Sequence, residues 1–310
     1  MPPMDQVSTD QIGFIGGGNM ARALIAGLIR QGQPADRICV GEPQAQLRAA
    51  LARDFNVAVS ADNDTAVRGA ALVVLAVKPQ DALAVLHAVH ASLNATGMVL
   101  LSIAAGLTIG ALAGQCPPGV AIVRAMPNRP ALVGAGITAL YAPAQVGAPA
   151  RGRAERIAAA AGRIVWLRSE AELDLVTALS GSGPAYFFLL AEELAKAGAA
   201  LGLAQDTAAL LAVETLHGAG LLAQRAAALV PDAGGTAGDG DARGGAPLTL
   251  ALAEERRAVT SKGGTTEAAL RVLAQGGFDA LIARALQAAA TRSAELAGAT
   301  QPAPSERRSR

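Results

Sequence analysis

The chain has 310 residues, enough for one large domain or two of ordinary size. A formal net charge of +1 and an aromatic content of 3% supply neither a basic surface nor stacking platforms, so no nucleic-acid partner is expected. Hydrophobic residues make up 52% of the chain, so a large core can be buried, while the two cysteines, Cys39 and Cys116, are no disulfide framework.

The first residues, Met1-Pro2-Pro3-Met4-Asp5, lack a basic region followed by an apolar stretch, so no secretory signal is expected and a cytoplasmic location fits. The longest apolar runs, near 70–77 and 98–107, are too short to span a bilayer, and no membrane partner is expected. Ile12-Gly13-Phe14-Ile15 reads as a strand, followed by a glycine turn and a helix from Met20 with apolar residues at helical spacing. Strands are then predicted at 38–40, 57–59, 72–77, 98–103, 121–126, 136–141 and 164–166, with helices at 44–53, 81–93 and 153–162. The run at 72–77 is continuous and branched, as in a central parallel strand buried on both faces. Residues 1–168 are therefore expected to form a doubly wound α/β domain.

From 169 to 300 no strand is predicted. Helices are expected at 173–179, 185–201, 207–229, 248–259, 267–274 and 278–296, and the second is apolar on nearly every face, as in a bundle or between subunits. The segment 231–247 holds six glycines and reads as a flexible surface insert. Residues 301–310 are expected to be a disordered tail.

The spacing Gly16-x-Gly18-x-x-Ala21, placed between a strand and a helix, is the dinucleotide fingerprint of a Rossmann-type fold. The turn residues Gly16, Gly17, Gly18, Asn19 and Met20 are candidates for the pyrophosphate. Glu42, 26 residues after Gly16, is placed to accept from the adenosine ribose, and Asn63 is a second candidate there. A carboxylate at this point disfavours a 2′-phosphate, which leans the reading slightly to NADH and leaves NADPH open. Loops after later strands hold Ala76-Val77-Lys78-Pro79, Ala104-Ala105 and Asn128, where open α/β sheets bind ligands. Ser180-Gly181-Ser182-Gly183-Pro184 is ordinary helix-start chemistry and equally fits a second helix N-terminus placed at the site.

Val259-Thr260-Ser261-Lys262-Gly263-Gly264-Thr265-Thr266-Glu267 is a cluster of hydroxyls and glycines that opens into a helix. It fits a capped helix start, with Ser and Thr as caps. It also fits a cradle for a small anion such as a carboxylate, at the positive end of the helix dipole. His87, His90 and His217 have no companion ligands, so no metal site is expected. A redox enzyme without a strong side-chain acid suits a substrate that is already activated, such as a protonated imine.

The stretches FIGGGNMA, LAVKPQ, SIAAG, RAMPNRPALVGAGIT, ALSGSGPAYFF and VTSKGGTTEAAL, in this order, resemble the pyrroline-5-carboxylate reductase family. The first is generic to dinucleotide-binding proteins; the last two together are specific. The resemblance implies NAD(P)H-dependent reduction of 1-pyrroline-5-carboxylate to L-proline. It implies a helical domain forming an interlocked homodimer, with dimers often assembling into rings. It implies that Ser261 and the segment from Gly263 to Thr266 bind the substrate carboxylate, that Thr266 lies near the pyrroline nitrogen and assists its protonation, and that Asn63, Ala76, Lys78 and Pro79 line the cofactor path. The sequence departs from the family pattern in the long 231–247 insert and in Glu42-Pro43, which is not the Ser- or Arg-containing pattern that greets a 2′-phosphate. The alternatives are a related two-domain hydroxyacid dehydrogenase, for which Lys196 is the only lysine on the long helix, and a non-enzymatic dinucleotide-binding sensor.

Overall fold

The computed structural model describes residues 10–94, 97–228 and 246–299. Most of the predicted insert and the whole 301–310 tail lie outside these residues. The described residues divide into two compact units, one running up to Gly181 and resuming at Ala290, the other spanning Ser182–Ala289.

The first unit alternates strand and helix: β1 (Ile12–Ile15), α1 (Asn19–Arg30), β2 (Ile38–Gly41), α2 (Ala45–Phe55), β3 (Ala58–Ser60), α3 (Asn63–Val67), β4 (Leu72–Leu75) and α4 (Pro79–Ala88). It continues with β5 (Val99–Ser102), α5 (Ile109–Ala113), β6 (Ala121–Met126), β7 (Gly136–Tyr141), α6 (Ala148–Ala159), β8 (Gly162–Trp166) and α7 (Glu172–Val176). The eight strands form one sheet in the order β3-β2-β1-β4-β5-β6-β7-β8, with the chain reversing direction across the sheet between β1 and β4. Every pairing is parallel except β6 with β7. The link from β6 to β7 carries only a short turn at Arg129–Val133, and without a crossover helix the chain can only double back.

Strands β1, β2, β4 and β5 are buried at every position, as the continuous apolar run at 72–77 requires. Alternation along β4 sends Val74 to one core, with Phe14, Leu24, Leu28 and Leu101, and Val73 and Leu75 to the other, with Leu86, Leu100 and Leu112. Each face of the sheet thus has its own core under its own helices. Helix α1 comes very close to the chain after α6: a Cβ on Gly27 would sit 1.9 Å from the Ala160 carbonyl oxygen.

Three local expectations shift. The helix expected at 81–93 starts earlier, on Pro79 in its first turn, and ends at Ala88 before a 3₁₀ turn at His90–Ser92. The helix expected at 153–162 starts at Ala148, because Pro149 occupies its first turn without losing a hydrogen bond. Helices α3 and α5, too short for a periodic signal, are held by side-chain caps from Asp62 and Thr108.

The rest of the chain is helical: α8 (Gly183–Ala200), α9 (Gln205–Ala228), α10 (Ala246–Ala258), α11 (Thr265–Gln275) and α12 (Phe278–Ala299). Residues Thr177–Gly181 form one wide π turn between α7 and α8. The helical stretch Glu172–Ala200 is long and apolar enough to cross a membrane by length and composition; as a run of apolar residues it is broken by Ser180-Gly181-Ser182-Gly183-Pro184. The compact units part at Gly181/Ser182, past the composition change at 168–170, because the segment after β8 is tied back to the sheet. Glu170 accepts from the Arg124 guanidinium at 2.7 Å and from the Ile109 N–H at 2.6 Å. Within the same unit Ser293, near the end of α12, donates to Asp174 at 2.7 Å.

In the second unit α8 and α9 are antiparallel neighbours, with Gly198 allowing close approach: a Cβ there would meet Ala208 Cβ at 3.4 Å. Large apolar side chains remain uncovered, among them Phe187, Phe188, Leu194, Leu210 and Leu211, which are about half exposed or more.

Candidate functional site

β1 ends at Ile15, and the chain turns at once through Gly16, which has φ of +97°. A Cβ on Gly16 would lie 2.8 Å from the Ala76 carbonyl oxygen, so both the torsion and the space demand glycine. Gly17 is buried, with a Cβ position 2.5 Å from Leu51 Cδ1. Gly18 differs: its backbone is extended, and nothing among the described residues lies within 4 Å of where its Cβ would be. That open space fronts the first turn of α1, where Gly18, Asn19 and Met20 present the positive end of the helix dipole and no acidic residue opposes it. These residues fit a dinucleotide pyrophosphate.

The end of β2 supports the turn. Glu42 is 5% exposed; one carboxylate oxygen accepts the Gly17 N–H and the other the Gln44 N–H, both at 2.9 Å. The carboxylate expected to face a ribose is thus also the brace that holds the glycine turn. Arg48 spans the same corner, donating through one nitrogen to the carbonyls of Glu42 and Pro43 at 2.7 Å each. Asn63 opens α3 against Gly41, where a Cβ would meet Asn63 Oδ1 at 2.3 Å. That oxygen is buried and has no hydrogen-bond partner among the described residues. An orphaned acceptor at the end of β2 is what a ribose hydroxyl would satisfy.

The ends of β4 and β5 continue the same edge. Ala76 lies against Gly16, Val77 beside it, and Lys78 is exposed with Pro79 starting α4. Ser102, at the end of β5, is 1% exposed, and its hydroxyl is likewise unpartnered among the described residues. Ala104 and Ala105 add little bulk there. The sheet therefore brings Gly16, Gly17, Glu42, Asn63, Ala76 and Val77 together, as the fingerprint requires.

Asn128, expected at the cofactor, stands at the end of β6 with both polar ends engaged within the protein. It is 8% exposed; its amide donates to the Ser180 carbonyl at 3.2 Å and accepts the Ile137 N–H at 3.0 Å. Both polar ends serve to fasten the π turn and β7 to the end of β6.

The hydroxyl-rich segment lies in the second unit. Thr260 Oγ donates to the Arg256 carbonyl at 2.6 Å and closes α10. Gly263 has φ of +70°, and Gly264 is the N-cap of α11 without any side-chain cap. The expected capping by Ser or Thr gives way to Glu267, whose carboxylate reaches back to the Gly263 N–H at 2.6 Å. No intramolecular hydrogen bond to the hydroxyls of Ser261, Thr265 or Thr266 is found among the described residues, and the N–H groups of Thr265 and Thr266 stand in the open first turn. The reach of Glu267 was legible as that of a Glu three residues after a helix N-cap, whereas the contacts of Glu170 were not.

Lys196 of α8 contacts the carboxylates of Glu192 at 2.6 Å and Glu193 at 2.9 Å on an exposed face, and these raise its pKa. Such a lysine stays charged and is no general base.

The comparisons with known proteins agree with this geometry. Residues 170–296 match the family model described as pyrroline-5-carboxylate reductase dimerisation, and residues 11–106 match the one described as NADP oxidoreductase, coenzyme F420-dependent. The chain is 43% identical to the pyrroline-5-carboxylate reductase of Pseudomonas aeruginosa, over 94% of this chain and 98% of that protein. It is 40% identical to that of Haemophilus influenzae, over 92% and 97%. Among solved structures, a pyrroline-5-carboxylate reductase from Coxiella burnetii superposes with a TM-score of 0.81 at 37% identity, covering 93% of this chain and 99% of that one. The Plasmodium falciparum pyrroline carboxylate reductase, solved with NADP bound, gives 0.74 at 25% identity, covering 94% and 100%. With both the glycine turn and the hydroxyl-rich loop inside matched family regions and relatives at this identity along nearly the whole length, the chain belongs to the pyrroline-5-carboxylate reductase family.

Proposed function

We propose that the chain is a pyrroline-5-carboxylate reductase that reduces 1-pyrroline-5-carboxylate to L-proline with NADPH or NADH, the last step of proline biosynthesis. The observation that carries this reading is the 43% identity to a reductase of that name across 94% of the chain. The dinucleotide, when bound, supplies the hydride. Gly16, Gly17, Gly18, Asn19 and Met20 hold its pyrophosphate, and Glu42 and Asn63 face its ribose. Ala76, Val77, Lys78, Pro79, Ala104 and Ala105 line its path, and Asn128 braces the neighbouring turn.

In the second unit Ser261, Gly263, Gly264, Thr265 and Thr266 form the carboxylate cradle. Free hydroxyls and first-turn N–H groups around Gly264 support this assignment. Thr266 is the candidate catalytic residue: its hydroxyl orients the ring nitrogen and assists its protonation. A protonated imine is already electrophilic, so binding and orientation supply most of what the protein must contribute.

The uncovered apolar side chains of α8 and α9 fit a helical domain that pairs with a second copy, and the functional form is a homodimer or a ring of dimers in the cytoplasm. We assign residues 1–168 to cofactor binding, 169–300 to dimerisation and substrate binding, and 301–310 to the tail.

The test follows absorbance of NADH or NADPH with and without pyrroline-5-carboxylate. Oxidation that depends on the substrate supports the reading, and its absence with both cofactors overturns it.

A further inference from the structure

The start of α11 is built the opposite way round from an ordinary capped helix. Its N-cap is Gly264, which has no side chain to offer, and the residue before it, Gly263, is left-handed at φ of +70°. The exposed Gly263 N–H donates to the carboxylate of Glu267, the third residue of the helix, at 2.6 Å. In the familiar capping box the acid at this position serves the N-cap N–H, while a Ser or Thr at the N-cap serves the helix. Here the acid reaches one residue further back, and the hydroxyls around it are relieved of capping. The Gly264 N–H is meanwhile closed onto the Ser261 carbonyl at 3.0 Å, which folds the segment into a tight turn. A Cβ on Gly264 would lie 2.3 Å from Ser261 Oγ, so that hydroxyl is folded directly over the glycine.

We propose that Glu267 is a positioning residue for the substrate: by holding the Gly263 N–H it fixes the left-handed turn that keeps Ser261, Thr265 and Thr266 free to receive the pyrroline-5-carboxylate carboxylate. This inference rests on the reductase reading above. Glu267 does not touch substrate in this role. Its carboxylate is committed to the loop, and an ionised acceptor holds an N–H more firmly than a neutral one. Without it, Gly263 is released to the many conformations open to glycine, and the cradle must be ordered each time the substrate binds. The cost falls on substrate capture and not on the dinucleotide, which is held by residues of the other unit.

The experiment compares wild type with Glu267→Ala and Glu267→Gln, the latter keeping one oxygen able to accept the same N–H. Glu267→Ala is expected to raise KM for pyrroline-5-carboxylate about tenfold while leaving the KM for the reduced dinucleotide within about twofold; Glu267→Gln is expected to recover most of the difference. Hydrogen–deuterium exchange over the 260–268 peptide, on the full chain without substrate, gives a readout independent of catalysis. It should accelerate in Glu267→Ala and lie nearer wild type in Glu267→Gln. A wild type without pyrroline-5-carboxylate-dependent turnover overturns the reductase reading, and the positioning role with it. Substrate turnover in wild type with an unchanged substrate KM in Glu267→Ala, or unchanged exchange over 260–268, overturns the positioning role alone. Equal rises in both KM values also overturn it, because they indicate general loosening.

Discussion

The carboxylate of Glu42 receives the Gly17 N–H at 2.9 Å, across 25 residues of sequence, so the end of the second strand holds the glycine turn that follows the first. The side chain we assign to the ribose therefore also shapes the glycine turn. Glu42→Ala leaves the Gly17 and Gln44 N–H groups unpaired in a buried corner, at a cost of about 1–3 kcal/mol for each. The KM for NADH is expected to rise about tenfold, equivalent to ~1.4 kcal/mol. Glu42→Ser, which removes the negative charge and leaves a hydroxyl, should shift the NADPH to NADH ratio of kcat/KM about tenfold toward NADPH. Steady-state kinetics with both cofactors measures this, and an unmoved ratio excludes Glu42 from cofactor choice.

Gly16 and Gly18 separate folding from binding. Gly16→Ala places a methyl 2.8 Å from the Ala76 carbonyl at a φ of +97°. Strain of about 1–2 kcal/mol from the torsion alone, plus the clash, should lower both Tm and dinucleotide affinity. Gly18→Ala meets nothing within 4 Å, so Tm should hold while dinucleotide affinity falls. Thermal melts and dinucleotide titration on the two variants check the contrast; a fall in Tm for Gly18→Ala contradicts it.

Thr266→Ala should lower kcat about 10²-fold, the lower end of what a positioned proton donor contributes, with dinucleotide affinity unchanged. Unchanged turnover removes Thr266 from the mechanism.

Asn128→Leu distinguishes brace from cofactor contact. The substitution unpairs the Ile137 N–H and the Ser180 carbonyl, so the brace predicts a loss of about 1–3 kcal/mol each in stability. Denaturant unfolding reads that loss. A stable variant with a raised dinucleotide KM would instead support Asn128 as a cofactor contact.

The two thiols are set to be inert. Burial pushes the Cys116 thiol up to about 11 and raises that of Cys39 as well. A raised thiol pKa keeps the proton on at pH 8, where roughly one part in a thousand of Cys116 is thiolate. Ellman's reagent at pH 8 should therefore react slowly with the native protein and with both cysteines after denaturation.

The glycine turn was legible because its chemistry is local. A strand, Gly16-x-Gly18-x-x-Ala21 and a helix lie within one short stretch, and the torsion at Gly16 follows from that order. The eight strands were legible for the same reason: branched apolar runs fix a buried strand wherever the chain places it. Short helices such as α3 and α5 escaped because they last barely one turn and depend on the Asp62 and Thr108 caps.

The roles of Asn128, Glu42 and Glu267 divide along the same line. Their residue types and neighbourhoods were visible in the sequence, and so was the family, since its motifs are runs of adjacent residues. How their polar atoms are used was not. Asn128 bonds to Ser180, which is 52 residues away, Glu42 to Gly17, and Glu267 to Gly263. A hydrogen bond depends on distance and direction in space, and sequence order supplies neither beyond a single turn of helix or loop. The sequence by itself thus determined the dinucleotide fold, the family and the identity of both loops. Only the tertiary structure decided which of their donors and acceptors are already spent within the protein and which remain for a ligand.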